Sequence, residues 1–313
     1  MFSYIVRRFL QTIPVLIGVT LITYMCIWFA PGDPIQSMLG VRATAEQIAE
    51  VKSQLGLDKP ILLQYVTWMK NILQGDFGRS LQNNKKVLDM ILQRLPATLE
   101  LGIASFIIAV TLGVTTGIIS AVMRNSWVDY ICRFFAMVGV SMPVFWQGLI
   151  FILIFALYIP IFPASGRGMD PWSLEGLKHL VLPALALGTS TTASLSRLTR
   201  SSMLEVLRED YITTARSKGL KDRVVVFKHA LRNALIPVVT ILAFRIGAII
   251  GGSVITETVF AWPGMGRLAV SALMARDFPV ILGNVVLIAM MYVYANALVD
   301  ILYAFIDPRI SYD

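Results

Sequence analysis

Long apolar runs separated by shorter polar stretches dominate this chain, and their lengths set the first expectation. A helix crossing a bilayer needs about 20 mostly apolar residues, because the hydrocarbon core is about 30 Å thick and each residue rises about 1.5 Å. Six runs are assigned as spans: Phe9–Ala30, Thr98–Met123, Phe134–Tyr158, Leu180–Leu195, Leu235–Thr256 and Val280–Ile306. The fourth is the weakest, since TSTTASLS (Thr189–Ser196) is polar; small hydroxylated residues nevertheless suit a helix packed closely among other helices. The pattern predicts an all-α membrane protein with six transmembrane helices.

Two polar stretches carry structure of their own. In Pro31–Ala97, TAEQIAEVKSQLG opens with Thr44 and Gln47 at capping-box spacing and stops at Gly56. ILLQYVTWMKNILQG follows Pro60, keeps apolar residues at helical spacing and ends at Gly75. These amphipathic helices either rest at the lipid interface or form a rim that receives substrate or a delivery protein. The second stretch is RLTRSSMLEVLREDYITTARSKGLKDRVVVFKHALRNALIP, Arg197–Pro237, with nine basic residues, four acidic ones and one His. Met203, Leu204, Leu207 and Tyr211 share one side of its first helix, Gly219 breaks that helix, and Asp222 is placed to cap a second one through Arg232. A helix, turn and helix of this kind suits either a docking surface for another protein or an extension held against the bundle.

Composition sharpens the membrane reading. Apolar residues make up 56% of the chain and charged ones 15%, with mean hydropathy +0.71, against about 45–50% and 25% in soluble domains. The net charge of +8 reflects loop topology rather than nucleic-acid binding, because membrane proteins hold excess Lys and Arg on cytoplasmic loops. With the N-terminus inside, the inner segments hold fourteen basic residues: Arg7, Arg8, Arg124, Arg133, nine between spans four and five, and Arg309. The short outer loops hold Arg167, Lys178, Arg267 and Arg276. The long first outer segment has eight, but segments beyond about 60 residues cross regardless of charge. The first span follows Arg7 and Arg8, is too long for a signal peptide and lacks a small-x-small cleavage site. Six spans also place the C-terminus in the cytoplasm. Cys26 and Cys132 lie far apart in or beside apolar runs and read as packing residues.

Enzyme chemistry has no foothold. GxxxxGK[ST], HExxH and GxSxG are absent, and His179 and His229 are isolated, so neither a metal nor a nucleotide is expected on this chain. Within the spans, Arg245 in ILAFRIGAIIGG stands out, because a central charge costs at least about 2.5 kcal/mol. It faces a cavity, a partner subunit or a pairing residue in the bundle. Gln147 in MPVFWQG, and Asn296 one turn from Asp300, either hydrogen-bond between helices or meet substrate. Gly247, Gly251 and Gly252 permit close helix approach in span five.

The chain also carries RRF, APGDP, QGDFGRS, LPATLELG, SMPVFWQG, PASGR, LTRSSMLEVLREDYITTARSKGL, HALRNALIPVVT, ITETVFAWPGMGRL, RDFPV and LVDILYAFIDPRI. End to end, these resemble the inner-membrane permease subunits of bacterial dipeptide and oligopeptide ABC transporters. The resemblance implies a type I ABC importer permease fold, with residues 1–93 holding the first helix and outer segment. A five-helix core over 94–306 would include the coupling loop 197–234, and 307–313 would form a cytoplasmic tail. It implies a bacterial or archaeal cytoplasmic membrane protein that binds no cofactor of its own. Its partners would be a second permease, two ATP-binding subunits and an extracytoplasmic peptide-binding protein. Nickel chelates, glutathione or haem are alternative cargoes within the family; a stand-alone secondary transporter or channel is the alternative outside it.

The loop before span five then resembles a coupling helix that lies in a cleft of the ATPase, with Tyr211, Thr213, Thr214, Ala215, Arg216, Ser217 and Gly219 as its site residues. The generic importer motif reads EAA, three residues, Gly. Thr213, Thr214 and Ala215 occupy its first three positions and Gly219 its last, so Ala215 and Gly219 alone match literally. Gly219 is expected to close the helix in the left-handed conformation. Arg245, Gln147 and Asn296 are the translocation-path candidates.

Overall fold

The computed structural model of the chain describes residues 2–29, 58–171, 173–242 and 253–306, and these are helical with one isolated antiparallel bridge, Arg79 to Lys86. Arg245, Gly247, Gly251, Gly252, the helix expected over Thr44–Gly56 and the tail from 307 lie outside the described residues, as does the side chain of Asp300. In chain order the helices are α1 (Phe2–Trp28), α2 (Ile61–Leu73), α3 (Val87–Val122), α4 (Trp127–Ser141), α5 (Val144–Tyr158), α6 (Leu174–Val206), α7 (Asp210–Ser217), α8 (Asp222–Ala234), α9 (Ile236–Leu242), α10 (Val254–Val259), α11 (Met265–Met274) and α12 (Phe278–Ile306). Among the described residues, Leu10–Trp28, Val87–Val122 and Phe278–Ala297 are each long and apolar enough to cross a membrane. Two bent pairs, α4 with α5 and α8 with α9, meet that requirement jointly. This is a multi-pass helical membrane protein.

The helices group into two compact units, one within Met1–Thr98 and Pro263–Ala297, the other within Leu99–Trp262. In the first, Val87 and Ile91 of α3 bury against Met265, Ala272, Val280 and Ile281. Asn284 donates to the Met265 carbonyl at 2.7 Å and Thr98 Oγ1 accepts from the Met265 N–H at 2.8 Å, so both backbone groups at the start of α11 are satisfied. Asp277, almost fully buried, accepts from Ser80 Oγ and from the Leu81 N–H at 3.1 Å, which ties the RDFPV turn to the QGDFGRS hairpin. Helix α2 starts after Pro60 and ends before Gly75 (φ +83°), as its spacing predicts. Its inner side packs on a spanning helix: Tyr65 meets Thr20 Oγ1 at 2.9 Å and Tyr24 donates to Gln64 Oε1 at 3.1 Å.

In the second unit α6 is the organising helix. It runs 33 residues and packs on α4, α5, α8 and α10. Leu182, Ala184, Ala186, Leu195, Thr199 and Met203 are buried along it. Its low hydropathy, which made the fourth span the weakest expectation, has a physical reason: this helix is surrounded by protein, where small polar residues find partners, as Ser196 Oγ does with Thr116 Oγ1 at 2.9 Å. Close approach depends on Gly117, where a Cβ would sit 2.6 Å from that of Thr199.

The third predicted span is sharply bent rather than one straight helix. α4 ends at Ser141, Met142 is extended (ψ 134°), and α5 leaves at 115° to α4. Pro143 disfavours helical geometry at the residue before it and has no N–H to donate. The residues on both sides of Pro143, FFAMVGVS and VFWQGLIFI, are apolar, so a run of hydrophobic residues conceals the break. Cys26 is exposed on α1 and Cys132 is half-buried.

Candidate functional site

The stretch after α6 folds as a short helix held in a turn. α6 ends at Val206, and the backbone turns through Leu207–Glu209, where Glu209 is extended (ψ 147°). α7 then runs eight residues. The single helix expected from Met203 to Gly219 is therefore two, because apolar spacing continues across a break that only the backbone at Glu209 reveals. Asp210 in the first turn of α7 and Arg216 in the last complement the helix dipole.

Two residues seat the helix. Ile212, with no exposed surface, and Ala215, at 8%, lie one turn apart and join Met203, Val225, Val226, Ala230, Ala234 and Ala121 in one apolar cluster. Thr213, Thr214, Arg216 and Ser217 are exposed on the other side. The Thr214 and Ser217 hydroxyls are turned back onto carbonyls of their own helix, Asp210 O at 2.9 Å and Thr213 O at 3.0 Å. Gly219 has φ +77° and donates to Arg216 O at 2.9 Å, the left-handed closure expected of it. Nothing lies within 4 Å of where its Cβ would be.

Helix α8 completes the surface. Asp222 does not cap it, contrary to expectation: Lys221 occupies the cap position without a side-chain bond, and Asp222 in the first turn instead meets Arg216 Nε at 3.3 Å. The helix widens to π geometry over Val225–Ala230, which turns Val225, Val226 and Ala230 onto the α7 cluster while Phe227 stays exposed. It also continues past Arg232 to Ala234 and bends by 47° into α9. Asn233 donates to Tyr211 Oη at 2.7 Å, pinning the first turn of α7 to the end of α8. The outer surface thus combines Tyr211, Leu220, Val224 and Phe227 with Arg216, Lys218, Lys221 and Arg223, exposed apolar and basic residues around the buried cluster. Among the described residues, no group of three or more His, Cys, Asp or Glu is placed to hold a metal.

The family profile described as "Binding-protein-dependent transport system inner membrane component" matches residues 113–312, and the one described as "Binding-prot-dependent transport system membrane comp, N-term" matches residues 1–102. The chain belongs to this family. It is a membrane component of a transport system and not an enzyme. It is 45% identical to a dipeptide transport system permease protein of Alkalihalophilus pseudofirmus, with all of both chains covered. Identity is 42% to an oligopeptide transport system permease protein of Bacillus subtilis and 41% to a glutathione transport system permease protein of Escherichia coli, again over the whole of each chain. The fold is also that of a chain in the MetNI methionine ABC transporter in inward-facing conformations (TM-score 0.58, 15% identity, 70% of this chain and 97% of that one).

Within this family member, Tyr211, Thr213, Thr214, Ala215, Arg216, Ser217 and Gly219 come together on one small helix and its closing turn. Gln147 lies elsewhere, 3% exposed in the α4–α5 bend. Its Nε2 donates to Gly139 O at 3.1 Å and Met142 O at 3.0 Å, carbonyls that the break leaves without helical partners. Asn296 is half-buried on α12 in the first unit. Ile212 was overlooked in the sequence, although an Ile three residues before Ala215 in an otherwise polar segment marks the seated side of a short helix.

Proposed function

We propose that this chain is the permease subunit of an ATP-driven importer of di- or oligopeptides, with α7 as the coupling helix. The observation that carries the reading is the two-sided construction of α7: Ile212 and Ala215 are locked into the α6–α8 cluster while Tyr211, Thr213, Arg216 and Ser217 are presented outward. A helix built this way moves with its seat and offers its outer side to a partner. The proposed assembly pairs this chain with a second permease and two ATP-binding subunits, and an extracytoplasmic binding protein delivers the peptide. Both termini face the cytoplasm, the fold is the type I importer arrangement with six spans, and no cofactor binds this chain. Closure of the ATPases on ATP displaces α7 and turns the passage from one side to the other. Each ligand drives that cycle only as far as it prefers one state over the other. Arg245, Gln147 and Asn296 are the residues proposed to face the passage.

The peptide and oligopeptide permeases among the relatives, each matched over its full length, support the cargo. The test is purification of this chain with whatever remains bound, in a variant carrying Ser217→Cys. The expected outcome is recovery of two ATP-binding chains, a disulfide or bifunctional cross-link from position 217 to one of them, and hydrolysis stimulated by a dipeptide with its binding protein. An active transporter recovered without any ATPase chain would refute the assignment.

A further inference from the structure

Asp129 is a fully buried carboxylate tied to guanidinium groups in the second unit, and the coupling surface as described does not use it. Its side chain has no exposed surface and every acceptor position is taken. Oδ1 accepts from Ser120 Oγ at 2.6 Å and from Arg200 Nε at 2.9 Å; Oδ2 accepts from Arg200 Nη2 at 2.9 Å and from the Asn125 N–H at 3.1 Å. Arg133 Nε lies 3.5 Å from Oδ1 and stacks its guanidinium over Tyr130. Three helices therefore meet at one carboxylate: the end of α3 through Ser120, the start of α4, and α6 through a two-pronged Arg200. Such planar pairs fix orientation as well as distance.

The position of this junction gives it meaning. Ala121 adjoins Ser120, Met203 lies three residues beyond Arg200, and both belong to the cluster on which Ile212 and Ala215 of α7 are seated. The apolar contact of α7 with Met203 alone lets a displaced α7 push on α6. It does not by itself make α3 and α4 follow, because apolar contacts are non-directional and permit sliding. Besides the Thr116–Ser196 hydrogen bond and the packing of α6 on α3 and α4, the ionic pair adds a charged, orientation-fixing tie between α6 and the α3–α4 turn.

We infer that Asp129 and Arg200 are positioning residues for transport: a strut that makes α3 and α4 move with α6 when the coupling helix is displaced. This rests on the reading of α7 as the coupling helix. The experiment uses the complete reconstituted transporter in proteoliposomes with its binding protein, and reads dipeptide uptake and ATP hydrolysis in the same vesicles. In Asp129→Asn the Ser120 bond survives, but an amide N–H₂ replaces one acceptor where only donors point. In Arg200→Lys the charge stays and the two-pronged geometry is lost. Both are expected to keep hydrolysis within about two-fold of the unmodified transporter while peptides moved per ATP fall by about five-fold or more. The double variant is expected to be no worse than the worse single, as for two halves of one element.

An unchanged peptide-to-ATP ratio in variants that accumulate normally overturns the strut, and so does a parallel fall in uptake and hydrolysis. If Asp129→Asn fails to accumulate, Arg200→Lys decides by the same ratio; failure of both to accumulate makes the pair a folding element and overturns the proposal. Absence of ATP-dependent dipeptide uptake in the unmodified transporter would instead overturn the coupling reading itself, so the two failures are distinguishable.

Discussion

Replacing Gly219 with Val or with Asn separates backbone conformation from every other property of the turn after α7. Gly219 holds φ +77° at the exit of α7 with nothing within 4 Å of the Cβ position, so a Cβ meets no neighbour there and the left-handed conformation sets the cost of substitution. Left-handed geometry costs an L residue roughly 1–2 kcal/mol, with Asn an exception because its side chain bonds locally. At about 1.4 kcal/mol per factor of ten, Val should deplete the native turn by about 5- to 30-fold relative to other loop conformations. The site lies beyond the last residue of α7 and outside the apolar cluster, so insertion and accumulation should be unaffected. In proteoliposomes holding the whole complex, Gly219→Val is expected to lower uptake per ATP hydrolysed by about five-fold or more. Gly219→Asn is expected to stay within about two-fold of the unmodified protein. Equal behaviour of the two variants, whether both normal or both impaired, would refute the claim that left-handed closure aims the helix.

Three further outcomes follow from packing. Ile212→Ala removes a fully buried side chain from the α7 seat and should cost about 2–5 kcal/mol locally, read as faster proteolysis between α6 and α8 with the membrane helices intact. Gly117→Ala places a methyl 2.6 Å from Thr199 Cβ and 2.7 Å from Ser196 O; it should destabilise by about 1–3 kcal/mol and lower the melting temperature in detergent, whereas Gly18→Ala, with open space around it, should not. Arg167 donates Nε to Glu100 Oε2 at 2.8 Å and Nη2 to the other oxygen. Glu100→Gln should free the segment around Ser165, raising labelling of Ser165→Cys by an impermeant thiol reagent by about ten-fold.

The parts legible in the sequence were those governed by local spacing. The helix after Pro60, the last span and the left-handed glycine all follow from periodicity and from residues with restricted backbones, and each appears where expected. What escaped depended on contacts distant in the chain or on backbone breaks hidden in uniform composition. Pro143 sits within a continuous apolar run, so the 115° bend is hidden in the hydropathy. Asp129 lies in an ordinary stretch, WVDYIC, and its partner Arg200 is 71 residues away. At the site, Ala215 and Gly219 stood out through the family motif, and the structure supplies a physical reason for each: one must be small to sit in the cluster, the other must turn left-handed. Thr213 and Thr214, where the motif departs, are on the exposed side, where the fold sets no demand on them.

The central claim is that this chain passes peptides inward at the expense of ATP hydrolysed by other chains, and uptake into proteoliposomes tests it most directly. With the second permease, both ATP-binding subunits and the binding protein present, a labelled dipeptide is expected to accumulate only when ATP is supplied on the ATPase side. Unlabelled di- and oligopeptides should compete for it, and nickel chelates, glutathione and haem should not. Accumulation driven by an ion gradient without ATPase chains, or ATP-dependent uptake of one of those other cargoes with no competition by peptides, would contradict it.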